Sequence, residues 1–237
     1  IEPANLCSDG VFLRRVYLDL TGTLPTVKEA KAFLDDESPD KRAKLIDKLL
    51  ESDDFVDYWT MRWCDILRVK AEFPINLWPN AAQAYHRWVH QAIKTNMPYD
   101  EFVRQLLTSS GSNFRTGQVN FYRAVQTKDP RGVAQAVALT FMGTRADKWP
   151  KERLDGLTGF FTKIGYKRTG EWKEEIIIFD PDKDQSDAPE AVFPDGTAAE
   201  LTRYQDPREV FADWLITPKN PWFARQIVNR MWYWLQG

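Results

Sequence analysis

Apolar residues recur along this chain mostly at helical spacing. Phe12, Leu13, Val16, Tyr17 and Leu20 share one helical face, with Arg14, Arg15 and Asp19 off it. Ser8 or Asp9 can cap the start of this helix and Gly22 its end. Thr26 and Glu29 form a capping-box pattern ahead of Ala30, Phe33 and Leu34. Ser38-Pro39 predicts the start of a third helix, with proline at its first position and Leu45, Ile46, Leu49 and Leu50 as its stripe. Ser52 caps a longer helix lined by Phe55, Trp59, Trp63, Ile66 and Leu67. Pro74 ends that region, and Phe73 to Trp78 reads as a loop. Pro79 opens a helix through Ala81, Tyr85, Trp88, Val89 and Ala92, which Asn96 and Pro98 stop. Asp100 begins a short one through Phe102, Val103, Leu106 and Leu107.

Ser109 to Gly117 is polar and contains glycine, which predicts a mobile loop. Asp129-Pro130 caps a helix carrying Val133, Val137 and Phe141, and Pro150 begins another with Leu154, Leu157, Phe160 and Phe161. The period then changes. Glu174 to Asp180 is a β-branched run and the strongest strand signal in the chain. An acidic loop is predicted over Pro181 to Pro189, a short strand over Ala191–Phe193 and a turn at Pro194-Asp-Gly196. Helices return at Asp206-Pro207 and Asn220-Pro221. The pattern predicts a mainly α fold, a compact array of about eight to ten helices with a small β element near residues 174–193. The expected division is a helical domain over 1–180, then a linker and further helices over 181–237 that pack on it.

Composition narrows the classes. The 237 residues allow one full core or two small ones. The net charge of -2 provides no basic field, which argues against nucleic acid as a partner. No apolar run reaches the ~20 residues of a membrane helix, and no signal peptide is visible. The sequence starts at Ile1 and stops at Gly237 within an amphipathic pattern, which is expected of a piece of a longer protein. Two cysteines, Cys7 and Cys64, make neither a disulfide framework nor a Cys-x-x-Cys pair. Cys64 falls on an apolar helix pattern as a small hydrophobe, and sequence leaves a Cys7–Cys64 bridge open.

Asp19-Leu-Thr-Gly-Thr-Leu24 resembles the aspartyl-phosphate motif of haloacid-dehalogenase phosphatases, which would make Asp19 a nucleophile on a strand tip. Helical periodicity through Asp19, and the lack of a downstream acidic pair after a strand run, favour a structural Asp19. His86 and His90 stand four apart on one helical face, a weak metal-site candidate; Arg87 sits where a zinc protease has glutamate. Arg14, Arg15, Asp19, Arg62, Asp65 and Arg68 form a polar set. It reads either as an anion or sugar-acid pocket or, preferably, as a buried ion-pair network tying the first and fourth helices together. Of ten tryptophans, Trp59, Trp63, Trp88 and Trp214 sit at core spacing, while Trp78, Trp149, Trp172 and Trp222 are the candidates for ligand contact.

Three stretches carry a family resemblance: Phe12–Thr26 (FLRRVYLDLTGTLPT), Trp59–Arg68 (WTMRWCDILR) and Asp206–Gly237. The first two resemble a bacterial domain of unknown function found in large exported proteins of planctomycetes and their relatives, often beside a c-type cytochrome domain. The third resembles the start of the domain that follows it there. The resemblance implies a periplasmic or extracellular location and names no reaction. In many relatives the segment equivalent to Phe141–Arg145 runs into a Cys-x-x-Cys-His haem-attachment motif; here Arg145 is followed directly by Ala146-Asp147-Lys148-Trp149. No haem, other cofactor or metal is therefore expected. The function expected is that of a non-catalytic structural or interaction module, with other domains of a larger chain or a protein as partner. Glycan binding or processing through the loop tryptophans and the Arg/Asp set, with a polysaccharide as partner, is the alternative.

Overall fold

Side-chain caps written in the sequence set five of the eleven α-helix starts among the described residues. A computed structural model describes residues 6–72, 75–183 and 188–236. The predicted stop at Phe73-Pro74, the middle of the 181–189 loop and Gly237 lie outside them. The first three helices are α1 (Asp9–Thr21), α2 (Val27–Asp35) and α3 (Lys41–Leu50). Gly22 closes α1 at φ +68°, where its N–H donates to the Leu18 carbonyl. At α2 the Glu29 N–H donates to the Thr26 hydroxyl and the Thr26 N–H donates to the Glu29 carboxylate, the full reciprocal box. Helix α3 starts at Lys41, later than Ser38-Pro39 predicts. The Ser38 N–H and hydroxyl both turn back to the Asp36 carboxylate, so the chain makes a turn before the helix can begin. Leu13, Val16, Tyr17, Phe33, Leu45 and Leu49 form the small core of this N-terminal trio.

The main core is built by α4 (Asp53–Ile66), α5 (Pro79–Lys94), α6 (Tyr99–Thr108), the single turn α7 (Asn120–Arg123), α8 (Pro130–Phe141), α9 (Lys151–Gly159), α10 (Pro207–Ile216) and α11 (Phe223–Gln236). Ser52, Asp129 and Asn220 accept backbone N–H groups at the starts of α4, α8 and α11. Eleven α-helices are thus present among the described residues, the short α7 being one that periodicity could not reveal. Burying each large apolar side chain of this core is worth roughly 1.5–3 kcal/mol. Helix α10 reaches deep into it. Phe211 is fully buried, with its ring 5.3 Å from Phe160 and 5.6 Å from Phe161.

The β element is a three-stranded antiparallel sheet in the order β1-β3-β2, with β1 Gly111–Ser112, β2 Ile164–Arg168 and β3 Glu175–Phe179. The stretch predicted as a mobile loop therefore supplies an edge strand. Gly111 pairs with Ile177 and Ser112 with Ile176, and Asn113 is fully buried. Ala191–Phe193 does not become a strand; it makes one bridge, Val192 to Ala198. The cause is its seat on α9. The Val192 N–H donates to the Gly156 carbonyl at 3.1 Å, and any side chain at Gly156 would meet the Val192 Cβ at 2.8 Å. That donor cannot also serve a sheet.

Candidate functional site

The loop from β2 to β3, residues 169–174, is tied down from several sides. Its one buried residue, Glu174, accepts from the Ser112 hydroxyl at 2.5 Å and the Thr169 hydroxyl at 2.7 Å, and these two bonds hold its carboxyl below the ordinary glutamate range. The Lys173 carbonyl accepts from the Asn113 amide at 3.3 Å. Glu175, at the start of β3, is shared by Arg123 at 2.8 Å and Lys128 at 3.1 Å. Burial pushes the Glu175 carboxyl up, and the Arg123 hydrogen bond and the Lys128 charge outweigh it, so it too lies below the ordinary range. Arg123 itself is buried and donates onward to the Leu77 carbonyl at 3.2 Å.

A cavity of about 670 Å³ opens between this loop, the 75–76 segment and Arg123, Val125 and Lys128. One indole, Trp172, lines it, and a second, Trp78, stands beside its Lys173. Trp172 is 71% exposed and Trp78 41%, and the Lys173 ammonium lies between them, 5.0 Å from one ring and 6.0 Å from the other. Three residues here hold a positive φ: Asn76 at 53°, which asparagine tolerates, and Trp78 at 72° and Lys173 at 64°, which their side chains resist. Backbone strain of this kind costs on the order of 1–3 kcal/mol per residue and concentrates at binding sites. Among the described residues, Arg168 and Lys173 have no carboxylate partner, so the rim offers free donors beside flat apolar faces. That combination suits a ligand with hydroxyls and an apolar ring face.

The other candidates are dispersed. Trp149 and Trp222 both pack on Arg153, 4.2 Å and 5.8 Å from its guanidinium, and Trp222 continues a stack through Trp214. The Arg/Asp set is not a buried ion-pair network. Its single ion pair among the described residues is Arg15–Asp19 at 3.9 Å, within α1 and partly exposed. Arg14 and Asp65 point to solvent. Arg62 lies over the Tyr58 and Trp234 rings, at 5.2 and 5.7 Å. Arginine meets aromatic faces here, so carboxylates are not needed to hold α4 in place. Buried arginines pair elsewhere: besides Arg123 with Glu175, Arg208, 2% exposed, grips Asp206 at 2.7 Å and also donates to the Ser109 carbonyl and the Ser110 hydroxyl. Arg208 and Asp206 lie around a proline helix start, where the sequence suggested only a cap.

Asp19 sits in the last turn of α1, on a helix and not on a strand tip, so the phosphatase geometry is absent. The His86 and His90 rings are 6.3 Å apart, and His90 Nε2 lies 3.2 Å from Asp57. Among the described residues no group of three or more His, Cys, Asp or Glu side chains could hold a metal ion. Both cysteines are free thiols, Cys7 exposed and Cys64 with its pKa pushed up to about 12, chiefly by burial. No helix among the described residues is long and apolar enough to cross a membrane.

The profile of the PSCyt2 family, described as a protein of unknown function (DUF1549), matches residues 1–164. The chain belongs to this family. The match runs from α1 to the start of β2, so the N-terminal trio and most of the main core are PSCyt2 structure, while β3, α10 and α11 follow the matched region. No curated protein and no solved structure shows significant similarity to the chain.

Proposed function

We propose that this PSCyt2 chain is a non-catalytic interaction module and that the outer face of α11 is its contact surface. The supporting observation is that α11 is apolar on two sides. Its inner side carries Phe223, Ile227 and Trp234, with the Trp234 ring 5.1 Å from Trp59 and 5.9 Å from Trp63. Its outer side carries Val228, Trp232 and Leu235 at i, i+4 and i+7, exposed by 62%, 69% and 36%. An apolar stripe left in water marks an association surface. The partner proposed is another domain of a larger chain or a separate protein. The resemblance to exported planctomycete-type proteins with c-type cytochrome domains supports a periplasmic or extracellular setting, and a domain division near residue 180. In extracts of the producing cell, the wild type should elute in a complex well above 27.6 kDa. A Val228→Asp/Trp232→Asp variant should elute as the free chain. Equal elution of the two would refute the reading.

A second reading is favoured by the Trp172 cleft, with Trp78 beside it: binding of a polysaccharide, a sugar face against the Trp172 indole and its hydroxyls on the free donors of the rim. Titration with soluble oligosaccharides should quench tryptophan fluorescence, and Trp172→Ala should weaken binding roughly fivefold or more, given ~1–3 kcal/mol per aromatic stacking contact. Unchanged fluorescence across a broad oligosaccharide panel would remove it.

A further inference from the structure

Helix α4 ends on an unusual residue. Leu67 closes the helix and Arg68 follows at φ +57°, while the Val69 N–H reaches back to the Cys64 carbonyl at 2.9 Å. This is the left-handed closing position that glycine or asparagine normally takes. The arginine is also poorly compensated. Its Nε and Nη2 are shut off from solvent without an acceptor, and among the described residues it pairs with no carboxylate. Burial lowers its pKa, opposed only by the nearby Tyr85, whose own fully buried hydroxyl has no partner either. Strain and an uncompensated charge therefore coincide in one side chain.

Arg68 lines a cavity of about 460 Å³ together with Gln126, Thr127, Leu139, Arg145 and Asp147. Arg145 reaches Asp147 at 3.5 Å. Two guanidinium groups against one carboxylate leave a single positive charge, and Ala136 and Leu139 supply an apolar wall. Val125 and Gln126 also line the larger Trp172 cleft, so the two cavities meet along one loop.

We propose that the Arg68–Arg145 cavity binds a small organic monocarboxylate, its carboxylate on Arg145 and on the Nη1 edge of Arg68, the part of that guanidinium not shut off from solvent, and its carbon chain against Leu139. One net positive charge balances one negative charge, and Asp147 repels a phosphate dianion. The volume lies within the ordinary range of small-molecule sites. The bound carboxylate supplies the counter-charge that the fold withholds from Arg68, which makes the strained arginine a binding residue rather than a helix stop. The site is independent of the α11 surface.

Calorimetric titration of the full chain with butyrate, with its uncharged analogue butyramide and with inorganic phosphate tests this. Butyrate should bind one-to-one and saturably, and butyramide should not. Arg145→Ala, at an exposed side chain, should leave the melting temperature unchanged and weaken butyrate roughly tenfold or more. Arg68→Gly should abolish butyrate binding and raise the melting temperature, since glycine relieves both the backbone strain and the buried charge. Butyrate binding no better than butyramide, phosphate binding tighter than butyrate, or full butyrate affinity in either variant would overturn the proposal.

Discussion

Asn113 and Glu175 are joined in both directions: the Asn113 N–H donates to the Glu175 carbonyl at 3.0 Å, and the Glu175 N–H donates to the Asn113 side-chain oxygen at 2.9 Å. A third bond, from the Asn113 amide to the Lys173 carbonyl, ties the lip of the Trp172 cleft to the same point. Asn113→Ala would leave the Glu175 N–H without its acceptor at a buried position. We expect a loss of about 1–3 kcal/mol in urea unfolding. A change below a few tenths would show that the sheet edge is not held here.

Removal of residues 206–237 should destabilise the whole chain. Phe160 and Phe161 would lose the Phe211 ring that covers them, and Ser109 and Ser110 would lose Arg208. A fall in melting temperature on the order of 10 °C is expected from the burial forfeited. A truncated chain as stable as the parent would mean that α10 and α11 are an independent appendage.

Glu174 should contribute a stability that depends on acid. Its folded pKa is depressed below 4.5, so the contribution is fully present above that value and is lost as the pH falls through the folded pKa. The stability difference between wild type and Glu174→Gln, measured by urea unfolding from pH 7 down to pH 3, should shrink toward zero at the acid end. A constant difference would show that the charge of Glu174 is irrelevant to its two hydroxyl partners.

Asp19→Asn should be nearly silent, within about 0.5 kcal/mol. Its one ion pair is long and exposed, and a carboxylate in the last turn of a helix faces the negative end of the helix dipole. A large loss of stability, or a phosphate-ester turnover abolished by the substitution, would contradict the geometry.

The mainly α class was legible because helix signals are local. Thr26 with Glu29, Ser52, Asp129 and Asn220 each announce a helix within four residues of sequence, and the structure uses all of them. What was hidden depends on distant partners. Gly111–Ser112 is a strand only because Ile176 and Ile177 lie beside it. Ser38 is no cap because its hydroxyl and N–H turn back to the Asp36 carboxylate and the helix begins later, at Lys41. Ala191–Phe193 yields its backbone donor to Gly156. At the candidate site, Trp78 and Trp172 were visible as loop indoles. Lys173 and Asn76 were not, since their left-handed backbones are imposed by tertiary contacts and leave no mark in composition. The Arg/Asp set failed for a related reason: sequence pairs opposite charges, whereas Arg62 lies over the Tyr58 ring one turn back on its own helix and over the Trp234 ring from the far end of the chain.

The contact role of α11 is tested most directly by placing a photo-crosslinking amino acid at position 232, with exposed Lys31 as the control, in the protein made in its own cell. Irradiation should give one discrete adduct with another polypeptide from position 232 and none from position 31, and Val228→Asp should abolish it. No adduct at position 232, or the same diffuse adducts from both positions, would contradict the role.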